Sequence, residues 1–254
     1  MKKVKLLSMF LLLLLWSCSN EDNNSEVENG TNPAPNLKSV GKSANDFLSD
    51  DKYQSLAVEV FYVGNLQPNA QTLQNLKSFM EARLHKPGGI TIAVKQIASP
   101  AGTPYTINEV ADIESDIRTN YNREDTLSLF ILFLDGNFSS DTGTTLTLGA
   151  AYRNTSCVLF ENSIQALSNS PTEPSRTDLE TIVIEHELCH MLGLVDLGSP
   201  MQTNHLDSAH GKHCINPDCL MYYQTESNIQ NMMNSGMPTL DANCLADLQA
   251  NGGK

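Results

Sequence analysis

The chain of 254 residues reads as an α/β protein built on one mostly parallel sheet. Three observations carry that reading. Strand-like and helix-like stretches alternate along the chain. The helices open on capping signatures. One run, Leu127 to Leu134, is apolar throughout, as a strand covered on both faces must be. An alternation of strand, helix, strand, helix and strand implies parallel pairing with right-handed crossovers.

Each element has its own signal. Ser55 to Val63 places Leu56, Val58, Val60 and Tyr62 on alternate positions, a strand period. Asn69 can cap a helix whose Leu73, Leu76 and Met80 recur at helical spacing. Gly88-Gly89 break the chain, and Ile90 to Ile97 forms the next strand. Thr106 with Glu109 is a capping box for a helix carrying Val110, Ile113, Ile117 and Tyr121 on one face. After the central run, shorter strands are expected at Leu146 to Tyr152 and Cys157 to Glu161. A second capping box, Thr177 with Glu180, opens the helix that continues to His190. No repeat and no second domain is visible, so residues 51–254 are read as one domain.

The first residues read as a leader. Lys2, Lys3 and Lys5 precede the apolar stretch Leu6 to Trp16, which falls short of the roughly twenty residues a spanning helix needs. Leu15-Trp16-Ser17-Cys18 resembles a bacterial lipobox. That resemblance implies removal of residues 1–17 and lipidation of Cys18, with the cell envelope as location and the lipid as the membrane contact. The acidic Glu21-Asp22 just after it resemble the export signals of Bacteroidetes surface lipoproteins. Residues 18–50, rich in Asn, Ser, Glu and Pro, read as a disordered tether. The net charge of −13 becomes −16 once Lys2, Lys3 and Lys5 leave with the leader. Such a balance disfavours nucleic acid and anionic lipid headgroups as partners. A monomer is expected.

The chemistry concentrates between His186 and Tyr223. His186-Glu187-Leu188-Cys189-His190 is an H-E-x-x-H. On a helix, positions i and i+4 share a face, so both imidazoles can reach one metal ion, while Glu187 lies about 100° round and can hold a water. Cys189 turns away from that face and is expected in the core. Gly193 lets the chain leave the helix through positive φ. Catalytic zinc usually takes three protein ligands, so one more is required. Counting onward from the helix reaches Asp196. Counting back from Met221 through His213-Cys214-x4-Cys219-x-Met221 reaches His213, which is favoured because imidazole suits zinc better than a lone carboxylate. His205 and His210 rank behind both. A later-helix glutamate ligand, as in thermolysin-like proteins, is excluded because no Glu lies between Glu187 and Glu226.

Together these residues resemble the archaemetzincin pattern H-E-x-x-H-x-x-G-x-x-H-C-x4-C-x-M within the metzincin clan, interrupted here by the segment Asp196 to Lys212. The resemblance covers roughly Thr177 to Tyr223. It implies an α+β zincin: a twisted, mostly parallel sheet with one antiparallel edge strand over the active-site helix, then a small C-terminal subdomain with a Met-turn and a helix. It implies a zinc metallopeptidase in which Glu187 activates the attacking water, with a peptide substrate paired to the edge strand Leu146 to Tyr152. Met221 would be the apolar floor beneath the ligands. Tyr223, two residues later, is placed like the tyrosine of astacin-like metzincins that assists at the metal. The family's cysteines form a second, structural zinc site with a later C-x-x-C, but here that position reads Asp241-Ala242-Asn243-Cys244. The second zinc is therefore open, a disulfide among Cys214, Cys219 and Cys244 being the other reading in an oxidising compartment. Asp196, His205, Asp207 and His210 offer donors for a further cation. A zincin fold kept as a non-catalytic zinc-binding module is the alternative function, against which an intact Glu187 argues.

Overall fold

A computed structural model describes residues 32–100, 102–142, 146–171, 173–226 and 236–254. The leader, Cys18 and the chain up to residue 31 lie outside the described residues. The sheet has five strands: β1 (Ser55–Val63), β2 (Gly89–Ile97), β3 (Thr126–Leu134), β4 (Gly149–Arg153) and β5 (Ser156–Phe160). Their order is β2-β1-β3-β5-β4. β1 pairs in parallel with β2 and β3, β3 pairs in parallel with β5, and β4 runs antiparallel at the edge. The mostly parallel sheet with one antiparallel edge strand is thus observed.

The helices are α1 (Ala44–Leu48), α2 (Ala70–Arg83), α3 (Ile107–Ile117), α4 (Glu161–Ala166), α5 (Arg176–Met191) and α6 (Ala242–Ala250). Asn69 caps α2 by accepting from the Gln71 N–H, and Thr106 with Glu109 closes the capping box of α3. The larger core lies on the α2 and α5 side of the sheet, where Leu56, Val58 and Leu129 of the sheet meet Leu76, Met80, Leu179 and Leu188 of the helices. A smaller cluster on the other face packs Phe61, Phe130 and Phe160 with Val110 of α3. β3 is buried along almost its whole length, which explains its unbroken apolar run. Among the described residues no helix is long and apolar enough to cross a membrane.

β4 runs Gly149–Arg153 rather than Leu146 to Tyr152, and three further boundaries differ from expectation, each for a physical reason. Tyr121 falls beyond α3, because the chain turns extended at Arg118, whose guanidinium is buried against Glu114, Ser156 and the Ser128 carbonyl. α5 opens at Ser175 rather than Thr177, since the Ser175 hydroxyl accepts from the Asp178 N–H. Glu180 does not reach back to cap its own helix. It accepts from the Asn69 N–H at 2.9 Å and the Thr72 hydroxyl at 2.6 Å, joining α5 to the start of α2.

The third difference is larger. From Asn32 onward, the segment read as tether is folded onto the domain. Phe47 and Leu48 are fully buried in the main core, and Asn36 is buried with its amide held by Asn122, Thr155 and the Ser128 carbonyl. Few apolar residues are needed there, because buried polar side chains carry much of the attachment.

Candidate active site

Helix α5 delivers His186, Glu187 and His190, and the chain returns to deliver His213. Gly193 ends the helix with φ of 78°, and a Cβ there would lie 2.6 Å from the Ser199 nitrogen and 2.8 Å from the Ala44 Cβ. The segment after it loops out and comes back. Its end pairs Leu206 with Cys214, with the Asp207 N–H donating to the His213 carbonyl at 2.8 Å and the Ile215 N–H to the His205 carbonyl at 3.0 Å.

This return brings one nitrogen from each of His186, His190 and His213 within 4.8 Å of one another. The ring centroids are 4.7, 5.2 and 5.4 Å apart, and all three side chains are buried. Backbone carbonyls orient two of them. His186 Nδ1 meets the Leu220 carbonyl at 2.7 Å, and His213 Nδ1 meets the His210 carbonyl at 2.8 Å and that of Gly211 at 3.1 Å. A ring that donates from Nδ1 turns its Nε2 lone pair forward as a metal donor. The Leu220 carbonyl belongs to the turn carrying Met221, which is fully buried and whose own carbonyl accepts from the Cys214 N–H at 2.7 Å.

Glu187 is buried beside this triad, and its Oε2 accepts from the Ala151 N–H of β4 at 2.6 Å. Helix and edge strand are pressed together there. A Cβ on Gly149 would lie 2.6 Å from Val183 Cγ1 and 3.0 Å from Glu187 Cγ. An open cleft of about 380 Å³ runs past Glu187, His190 and His213, walled by Gly149, Ala150 and Ala151 on one side and by Val40, Leu197 and Lys212 on others. The small β4 side chains leave room for an extended chain along the sheet edge.

The remaining candidates sit elsewhere. Asp196 is exposed, in left-handed backbone with φ of 69°, outside the histidine group. Tyr223 is one ring removed from the triad: it stacks on His210 at 3.6 Å, and its hydroxyl accepts from the Gln224 amide at 3.2 Å. It does not line the cleft. His210 also pairs with Asp207 at 2.7 Å on the surface. The four donors of the interrupting segment are therefore not gathered at one point.

His205 goes inward instead. It joins buried Cys214 and Cys244 and half-buried Asp241 in a second group whose donor atoms lie within 4.8 Å of one another. Neither His205 as a member of the cysteine cluster nor the buried Asp247 beneath it was expected. The signal available was the lost cysteine at Asp241 beside a histidine in an unexplained segment. Cys189 and Cys157 are buried in the core as thiols.

No family model matches the sequence. No curated protein matches it. Among solved structures, the chain is similar to archaemetzincin from Methanopyrus kandleri, at 17% identity over 78% of this chain and 95% of that one, with a TM-score of 0.50. It also aligns with metalloproteinase-II from Bacteroides fragilis at 14% identity, over 88% of this chain and 59% of that one, with a TM-score of 0.43. The mixed α/β architecture, with its antiparallel edge strand lying over α5, is similar in fold to that archaemetzincin.

Proposed function

We propose that this chain is a zinc-dependent metallopeptidase that cleaves peptide or protein substrates held in extended form along β4. The observation that carries the reading is the convergence of His186, His190 and His213 beside Glu187 in an open cleft. Three imidazoles with one side of the site left open are the donor set of catalytic zinc rather than of a closed structural site. His186, His190 and His213 would hold the ion. When bound, zinc supplies Lewis acidity toward the scissile carbonyl and lowers the pKa of the attacking water.

The chain's own residues do the rest. Glu187 takes the proton of that water and passes it to the leaving amine. Its Oε2 is oriented for this by the Ala151 N–H, which ties the general base to the strand that would carry the substrate. Gly149, Ala150 and Ala151 let a peptide backbone approach. Tyr223, expected from sequence at the metal, is assigned a positioning role through His210, whose carbonyl orients His213. The lipobox-like Leu15 to Cys18 supports an envelope protein lipid-anchored through Cys18, with its membrane contact confined to that anchor.

The test pairs zinc analysis by mass spectrometry with cleavage of a mixed peptide library. Wild type is expected to hold zinc and cleave. Glu187→Ala is expected to retain zinc and lose activity by a factor on the order of 10²–10⁴. His213→Ala is expected to lose zinc, and Asp196→Ala to keep it. Tyr223→Phe, which preserves the stacked ring, is expected to remain active. Zinc bound without cleavage of any peptide would favour the non-catalytic binding module, and absence of zinc would defeat both.

A further inference from the structure

Three thiols and an imidazole converge where the interrupting segment meets α6. His205 Nδ1 lies 3.3 Å from Cys214 Sγ and 3.8 Å from Cys244 Sγ, and Cys219 Sγ lies 3.7 Å from Cys244 Sγ. All four side chains are buried. A tetrahedral zinc site, with Zn–S near 2.3 Å and Zn–N of about 2.0–2.1 Å, requires S···S edges of about 3.7 Å and S···N edges of about 3.5 Å. The observed separations match those edges within a few tenths of an ångström. A disulfide would need about 2.05 Å between sulfurs.

The residues around the cluster agree with a metal. His205 Nε2 meets Asp247 Oδ2 at 2.8 Å, and Asp247 is fully buried with its other oxygen accepting from the Gln202 N–H at 2.7 Å. A carboxylate at Nε2 fixes the tautomer that leaves the Nδ1 lone pair facing the sulfurs. Asp241 lies close but is otherwise engaged. Its Oδ1 caps α6 by accepting from the Cys244 N–H at 2.9 Å, and its Oδ2 accepts from the Asn216 amide at 3.0 Å and from the Cys214 thiol at 3.4 Å, the last a contact that a Cys214 thiolate would give up. Soft thiolates with one imidazole suit zinc better than a set that includes this carboxylate.

We propose that Cys214, Cys219, Cys244 and His205 bind a structural zinc ion, with His205 replacing the cysteine ligand lost at Asp241. The ligand comes from Asp196–Lys212, the segment that interrupts the motif, so the interruption and the lost cysteine are one change rather than two. The site also anchors that segment next to His213, because Cys214 is the following residue and His205 lies on the strand-like stretch paired with it.

The experiment uses the full chain purified without chelator. Zinc analysis is expected to give two ions per chain for wild type, one for His205→Ala, and two for both His205→Cys and Asp241→Asn. Replacement of zinc by Co²⁺ is expected to give thiolate-to-metal absorption that survives in His190→Ala and vanishes in Cys244→Ala. That band reads the second site independently of the peptidase reading. Should His205→Ala fail to fold, His205→Cys decides: a folded protein with two zinc ions supports the exchange of ligands, and one with a single ion overturns it. A Cys219–Cys244 disulfide in peptide mapping of the unreduced protein overturns the proposal. So does a second zinc that persists in folded His205→Ala or is lost in Asp241→Asn.

Discussion

At Gly149 the space for one methyl group is already occupied by Val183 and Glu187. A side chain there must push β4 away from α5, and the bond from the Ala151 N–H to Glu187 is the contact most directly stretched. Gly149→Ala is expected to lower kcat/KM on the order of 10²-fold, since a displacement near 1 Å is enough for that. Zinc content should stay unchanged. Gly149→Ala with Val183→Ala should recover part of the loss, because the tighter contact is with the valine methyl; no recovery in steady-state kinetics would contradict this account. Individual candidate site residues differ in how visible they are in the sequence. His186, Glu187 and His190 follow from helical phase alone, and His213 follows from its spacing to Met221. His205 does not, because its partners Cys214, Cys244 and Asp247 come together only through folding.

The elements were legible where periodicity is long and obscure where it is short. β1 begins and ends where its alternation does, and β3 was marked by its apolar run. α1 has only five residues, too few to display a helical period, and it lies in Asn- and Ser-rich sequence. Its burial has a measurable consequence. Phe47→Ala is expected to cost about 3–5 kcal/mol in urea unfolding, as for other large core truncations; a change near zero would return residues 32–50 to the role of a tether. α5 holds a second consequence. Arg176 pairs with both Glu161, at 2.6 Å, and Glu180, at 2.8 Å, and both carboxylates are buried. Burial, reinforced by Glu180, pushes the Glu161 carboxyl up to about 7. The folded state therefore holds a proton that the unfolded chain releases near pH 4.3. Stability from this group is complete below that value and is lost as pH rises through 7, with a slope of at most about 1.4 kcal/mol per unit. Glu161→Gln should flatten that decline when urea midpoints are measured from pH 4.5 to 7.5, and an unchanged slope would exclude Glu161 as its source.

For the whole molecule, strand order and function separate cleanly. The sheet β2-β1-β3-β5-β4 places β4 at the edge, where an open cleft passes α5. The alternation of elements made the parallel pairing readable, because parallel neighbours need helical crossovers, whereas the edge position of β4 was legible only through the archaemetzincin resemblance. The loop after Gly193 was not readable in the same way, since its path depends on closures such as Asp207 to His213 and Ser199 to Gly193. A net charge of −13 leaves the surface unsuited to polyanions, consistent with a small cleft rather than an extended basic groove as the working part. The central claim is that this cleft is built around a zinc ion held by three histidines. The most direct measurement is anomalous diffraction at the zinc edge on crystals of the full chain. The account predicts a peak bonded to His186, His190 and His213 with Glu187 beside it. A peak there bonded to Asp196 in place of His213, or no peak between the three imidazoles, would contradict it.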